Sequence, residues 1–248
     1  MITLLKKRFE KTCHFDGTNA MALSFKNPPT LITYDDGNTQ LVLKPARVVD
    51  AAPLVTAIEE SLPELRQFMP WAHYPQTLEA QTKRLDVIEK EFGKNKDLIF
   101  HIYRPKDKAL IGCIGMHLGK THNPRAFEIG FWTRTQEAGK GYISLATQCI
   151  TVLGFAYFQS QRIQICHNAA NYGSARVCEK LGFQKEAELH LFEEQPTPTM
   201  LKQGYQMGPT AVLNALFLED REALSWYNKV KDALKVYQNR KEVVLESH

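Results

Sequence analysis

Apolar and polar residues alternate along "LITYDDGNTQLVLKPA" (residues 31–46), the period-two pattern of half-buried strands. Asp36-Gly37 interrupts it where a tight hairpin turn fits. The period then lengthens. Leu54, Ile58, Leu62 and Leu65 recur at helical spacing behind Asp50, an expected N-cap. "TLEAQTKRLDVIEKEFGK" predicts a second helix, with Thr77 at its start and Gly93 at its end. Three strand-like runs follow: "DLIFHIYR", "ALIGCIGMHLG" and "AFEIGFWT". A helix places Leu145, Cys149, Val152 and Ala156 on one face. "RIQICH" is a short strand, and "NYGSARVCEKLGF" a short helix closed by Gly182. Strands are expected near 184–191 and 200–207, divided by the loop "EEQPTPT", and helix from Pro209 to about Tyr237. Consecutive strands beside helical crossovers predict a mixed α/β (α+β) sheet.

Composition narrows the class. The chain has 248 residues, 44% of them hydrophobic, and a net charge of +4, which suits a soluble globular protein. No apolar stretch is long enough to span a bilayer, and charges near the N-terminus break any secretory signal, so a cytoplasmic location without membrane contact is expected. The five cysteines are widely spaced without a C-x-x-C pair and read as reduced thiols. The histidines lack metal-ligand spacing, so no metal is expected. No basic stripe with interleaved aromatics points to nucleic acid.

The chemistry concentrates in "TRTQEAGKGYISLATQCI" (residues 133–150). Gly139 and Gly141 stand between a strand and a helix, where backbone N–H groups are unpaired and carry partial positive charge. Glycines there let an anion reach several N–H groups at once, and a phosphate or pyrophosphate is the natural ligand. A plain tight turn is the alternative, because neither the P-loop nor the G-x-G-x-x-G pattern is complete.

Q-x-x-G-x-G at a strand-to-helix junction resembles the acetyl-CoA pyrophosphate loop of the GNAT superfamily of N-acetyltransferases. "FEIGFWT" resembles the E-I-G-Y-W strand of its RimJ/RimL-like group, and "NYGSARVCEKLGF" is similar to that group's N-x-x-S-x-x-V-x-E-K-x-G-F. "LRQFMPWA" resembles its L-x-x-W/F-x-P-W segment. The resemblance covers about residues 40–208. It implies the GNAT fold: a mixed, mostly antiparallel sheet with helices on both faces and splayed fourth and fifth strands. The expected division is an N-terminal extension over 1–38 that begins the hairpin, an acetyltransferase domain over 39–208 and a helical C-terminal extension over 209–248.

The same resemblance implies acetyl-CoA as cosubstrate. Its pantetheine arm would pair with backbone of the fourth strand at Ile129, Phe131 and Thr133. Its pyrophosphate would lie on Gln136, Ala138, Gly139, Lys140, Gly141 and Tyr142. Asn171, an expected N-cap, would also contact pantetheine, and Ser174 would lie near the sulfur as general acid. Glu193, eleven residues past Gly182, is the first candidate base and Glu128 the second. Trp71 and Phe68, after the first long helix, would wall the acceptor site. Helix-end packing serves equally for these aromatics, capping for Asn171, and a solvated loop for Lys140 and Glu193.

The implied reaction is acetyl transfer to a primary amine through a tetrahedral intermediate, with a protein N-terminal α-amine as the favoured acceptor. A small amine such as a polyamine or aminoglycoside is the alternative acceptor, and a non-catalytic acyl-CoA-binding module the alternative class. The segment after Pro209 is compatible with an oligomer contact, so a homodimer is also considered.

Overall fold

The computed structural model describes residues 27–94, 97–118, 125–192, 195–206 and 210–245. The hairpin is β1 (Leu31–Asp35) and β2 (Gln40–Pro45), and Gly37 takes the left-handed φ of +84° that its turn demands. Two helices follow, α1 (Ala51–Leu65) and α2 (Leu78–Gly93). Thr77 caps α2 by accepting from the Ala80 N–H at 3.2 Å. Asp50 does not cap α1 with its side chain, contrary to the expectation. A short 3-10 turn, Val48–Asp50, precedes the helix and turns that carboxylate towards the sheet.

The strands β3 (Asp97–Arg104), β4 (Ala109–His117) and β5 (Ala126–Thr133) form an antiparallel meander. Then come α3 (Tyr142–Val152), β6 (Arg162–Asn168), α4 (Tyr172–Leu181) and β7 (Gln184–His190). The sequence pattern fails beyond this point. Residues 200–207 were expected as a strand, yet Pro198–Lys202 is a short helix, α5, capped by Thr197 with Pro198 in its first turn. The expected C-terminal helix opens instead as a strand, β8 (Thr210–Phe217). β8 pairs with β6 on one side and β7 on the other, and that two-sided pairing overrides the helical propensity of "AVLNALF". Only α6 (Tyr227–Ala233) is α-helical in the stretch that follows, before β9 (Leu234–Gln238) pairs with β1 and β10 (Lys241–Val243) with β9.

The result is one ten-stranded sheet in the order β10-β9-β1-β2-β3-β4-β5-β6-β8-β7. Its pairings are antiparallel except β5 with β6. These two strands share register only at Ala126↔Arg162, Phe127↔Ile163 and Glu128↔Gln164. From Ile129 onward β5 keeps β4 but loses β6, the splay that the resemblance implied. An opened strand edge inside a sheet presents backbone N–H and C=O groups that a ligand can pair.

Side-chain alternation divides the sheet into two faces. One packs Phe100, Ile114, Phe127 and Ile129 against α3 and α6 in the larger core. Each large side chain buried there is worth about 1.5–3 kcal/mol. The other face carries α1 and α2 through Leu54, Ile58 and Leu85. Its floor is less apolar, with His101, Cys113, His117 and Glu128 lining the space beneath the helices. Among the described residues, no helix is long and apolar enough to cross a membrane.

Candidate active site

Two cavities open from the splay. The larger, about 690 Å³, runs along the glycine loop and α4. The smaller, about 360 Å³, lies between the sheet floor and the α1–α2 wall. They meet at six shared residues: Phe68, Met69, Phe131, Trp132, Asn171 and Ser174.

The larger cavity suits an anionic, extended ligand. Gly139 and Gly141 have φ of +76° and +86°, and a Cβ on either would meet no atom within 4 Å, so the backbone there is open to close approach. Gly141 is also the N-cap of α3. Thr133, Ala138, Gly139, Gly141 and Tyr142 line this space, whereas Ile129 lines the smaller cavity. Gln136 is exposed, and neither it nor Lys140 is among the lining residues. Lys140 instead bonds the Glu137 carboxylate at 3.1 Å.

The loop is held from both sides. Arg104 at the end of β3 grips Glu137 through Nη1 (2.9 Å) and Nη2 (3.3 Å). Burial pushes the Glu137 carboxyl upward, but Arg104 and Lys140 outweigh it and hold the pKa below the usual range. From α1, Ser61 Oγ accepts from the Thr135 N–H at 3.0 Å and Glu64 accepts from the Thr135 hydroxyl at 3.0 Å. The cavity's far wall adds Arg176 and Lys180, one helical turn apart on α4. Sequence reasoning passed over them, although R-x-x-x-K on one helix face is a legible cationic pair.

At the junction, Asn171 Oδ1 accepts from the Ser174 N–H at 3.0 Å, the expected cap. Ser174 is nearly buried, and its hydroxyl makes no hydrogen bond among the described residues. Glu193 lies outside the described residues. Glu128 accepts from Gln164 Nε2 at 3.0 Å. Trp71 stands in the wall of the smaller cavity, 6.1 Å from Trp132 by ring centroids.

His117 is the residue that the sequence analysis missed. It sits opposite Glu128 in the β4–β5 register, and its Nδ1 lies 3.0 Å from Asp97 Oδ1. Gly115 and Gly130 face each other on the same two strands. A Cβ on either would stand 3.0 Å from His117 Nε2. The imidazole therefore leans over a gap made by two glycines and presents Nε2 beside β5. Isolated glycines within strand patterns signal such close approach, and they were visible in "ALIGCIGMHLG" and "AFEIGFWT". A second polar group is deeper: Asp50 faces His101 Nδ1 at 3.0 Å and accepts from the Tyr103 hydroxyl at 3.0 Å. Burial opposes ionisation of Asp50, but these bonds and the Arg47 N–H prevail and lower its pKa.

This arrangement can bring a thioester carbonyl, lying along β5, to the mouth of a second cavity that holds a carboxylate and an imidazole. The open β5 edge and the bare glycine backbone fit acetyl-CoA. Comparison with known proteins agrees. Residues 40–184, more than half of the chain, match the acetyltransferase (GNAT) domain model. The chain is 28% identical over 147 residues to the probable N-acetyltransferase YjcK of Bacillus subtilis (strain 168), covering 59% of this chain and 81% of that one. Its fold superposes on Mycobacterium smegmatis RimJ in complex with CoA-disulfide, with a TM-score of 0.66 at 20% identity over 77% of this chain and 89% of that one. RimL, a ribosomal L7/L12 α-N-protein acetyltransferase in complex with coenzyme A, gives 0.63 at 17% identity over 75% and 97%. The chain belongs to the GNAT acetyltransferase family and is an acetyl-CoA-dependent N-acetyltransferase.

Proposed function

We propose that the acceptor is the α-amine of a protein or peptide N-terminus, which enters by the smaller cavity and meets the acetyl group at Ser174 and Phe131. The observation that carries this reading is the joining of two cavities at the splay, one suited to the cosubstrate and one walled by Trp71 and Phe68. RimL, similar in fold, acts on the α-amine of a ribosomal protein, which favours the same acceptor class here.

The thioester supplies an activated acetyl group, and the remaining work is protein chemistry. An α-amine has a reference pKa of about 7.7–8.0, so a weak base suffices to free its lone pair. His117, oriented by Asp97, takes that proton directly or through water, with Glu128 alongside. Backbone N–H groups on the open edge of β5, around Ile129, Phe131 and Thr133, meet the charge developing on the carbonyl oxygen. Ser174 protonates the departing thiolate from its unengaged hydroxyl. Gly139, Gly141 and Tyr142 hold the pyrophosphate, with Asn171 against the pantetheine.

The test is acetyl transfer to three acceptors: a peptide with a free N-terminus, the same peptide blocked at its N-terminus but carrying a lysine, and a polyamine. Mass analysis should place one acetyl group on the free α-amine and leave the blocked peptide nearly unreacted. Acetylation of the polyamine alone would replace the α-amine reading with the small-amine one.

A further inference from the structure

The wall of the smaller cavity carries a charge that the transfer chemistry does not use. Arg84 projects from α2 into this cavity, with its guanidinium 4.9 Å above the Trp71 ring. Arg84 is solvent-exposed and lines the cavity. Desolvation lowers its pKa, and the neighbouring Cys113 thiol on the floor opposes that shift. The Cys113 thiol is itself pushed up to about 12 by burial. An arginine stays charged at neutral pH in such surroundings. No carboxylate among the described residues pairs with it, whereas Arg104 and Arg134, which brace the glycine loop, are held by Asp107 and Glu137 and by Glu60. The Trp71 face holds the cation in position, but its planar fork of N–H donors has no partner among the described residues.

One turn earlier on α2, Gln81 lines the same cavity and is almost fully buried. Its Nε2 donates to Gln76 Oε1 at 2.6 Å, while its own Oε1 has no partner among the described residues. A buried acceptor oxygen without a donor is costly unless a ligand supplies one. The wall thus offers a forked cation and a hydrogen-bond acceptor side by side, opposite the floor that holds His117 and Glu128.

We infer that the cleft selects an acceptor carrying a carboxylate close to its reactive amine, the carboxylate paired with Arg84 and a nearby N–H with Gln81. Polycationic amines are repelled by the same arginine. The inference rests on the smaller cavity being the acceptor side, and it narrows the acceptor class. A carboxylate of this kind comes from an acidic side chain in the first residues of a peptide or from the α-carboxylate of a free amino acid.

The test uses two matched pairs: peptides beginning Ala-Glu and Ala-Gln, and alanine with alaninamide. Binding of each to the CoA-loaded protein is read by calorimetry, and acetylation with acetyl-CoA is read by mass. In at least one pair the carboxylate member should be favoured about tenfold to a hundredfold, the range of a charged hydrogen-bonded contact. Arg84→Gln should collapse that ratio towards one, and Arg84→Lys should keep part of it. Acetyl-CoA affinity of each variant reports that the fold is retained. Preference in the peptide pair assigns a protein terminus, and preference only in the amino-acid pair assigns a small molecule. A wild-type ratio near one in both pairs, or a ratio that survives Arg84→Gln, overturns the inference. Selective binding without an acetylated product would contradict the proposed transfer and support the anion site, and unselective acetylation would do the reverse.

Discussion

Replacing Gly141 by alanine separates two consequences that the loop geometry keeps distinct. Gly141 holds φ at +86°, a left-handed conformation that costs an L-residue about 1–2 kcal/mol. The added Cβ would meet no protein atom within 4 Å, so no clash adds to that cost. For a chain of this size about 1–2 kcal/mol corresponds to a fall in Tm of roughly 2–8 °C, readable by circular dichroism without ligand. Binding suffers separately. The methyl group stands where a pyrophosphate would approach the first N–H groups of α3, and each charged hydrogen bond lost is worth about 1.5–3 kcal/mol. Calorimetry well below the melting temperature should therefore show acetyl-CoA affinity reduced roughly tenfold or more. Wild-type affinity in the folded variant would remove the loop from the cosubstrate site. A Tm loss far beyond this range would mean that the backbone is packed there, against the open surroundings of the glycine.

Ser174→Ala should lower kcat by about 10²–10⁴-fold with little change in acetyl-CoA affinity, and near-normal turnover would leave water as the proton source. His117→Gln should depress kcat/KM most at low pH, where the amine is protonated, and least at high pH, while Glu128→Gln should cause a loss nearly independent of pH. Exchanged profiles would make Glu128 the base. Asp50 has a lowered folded pKa, so its ionised form stabilises the fold above the unfolded value of about 3.9, and that contribution is lost as pH falls through the lower folded value. The stability gap between wild type and Asp50→Asn, measured by urea unfolding, should shrink below about pH 4, and a constant gap down to pH 2.5 would contradict the assignment.

What the sequence made legible was local. Thr77, Asn171 and Gly182 act through neighbours three or four residues away, and their caps were readable in order. The glycine loop was readable because strand, glycines and helix adjoin in the chain. What escaped depends on contacts between distant segments. "AVLNALF" is strand because β6 and β7 pair with it from both sides, which no local pattern records. Asp50 left its helix for His101, 51 residues away. His117 acquires its setting from Asp97 on one strand and Gly130 on another, and only the register of β3, β4 and β5 brings the three together. Arg84 reads as one more polar position on an amphipathic helix until Trp71 and the floor beneath it are in place.

The central claim is that cosubstrate and α-amine meet at the junction of the two cavities, beside Ser174 and Phe131. A bisubstrate ligand, CoA joined through an acetyl bridge to a peptide α-amine, measures this directly, because it fills both cavities at once and binds intramolecularly at its second end. Calorimetry should give it an affinity at least a hundredfold above that of CoA or of the peptide alone, reduced in Gly141→Ala through one end and in a Trp71→Ala variant through the other. An affinity equal to that of CoA alone, unaffected by Trp71→Ala, would show that the peptide does not enter the smaller cavity and would contradict the account.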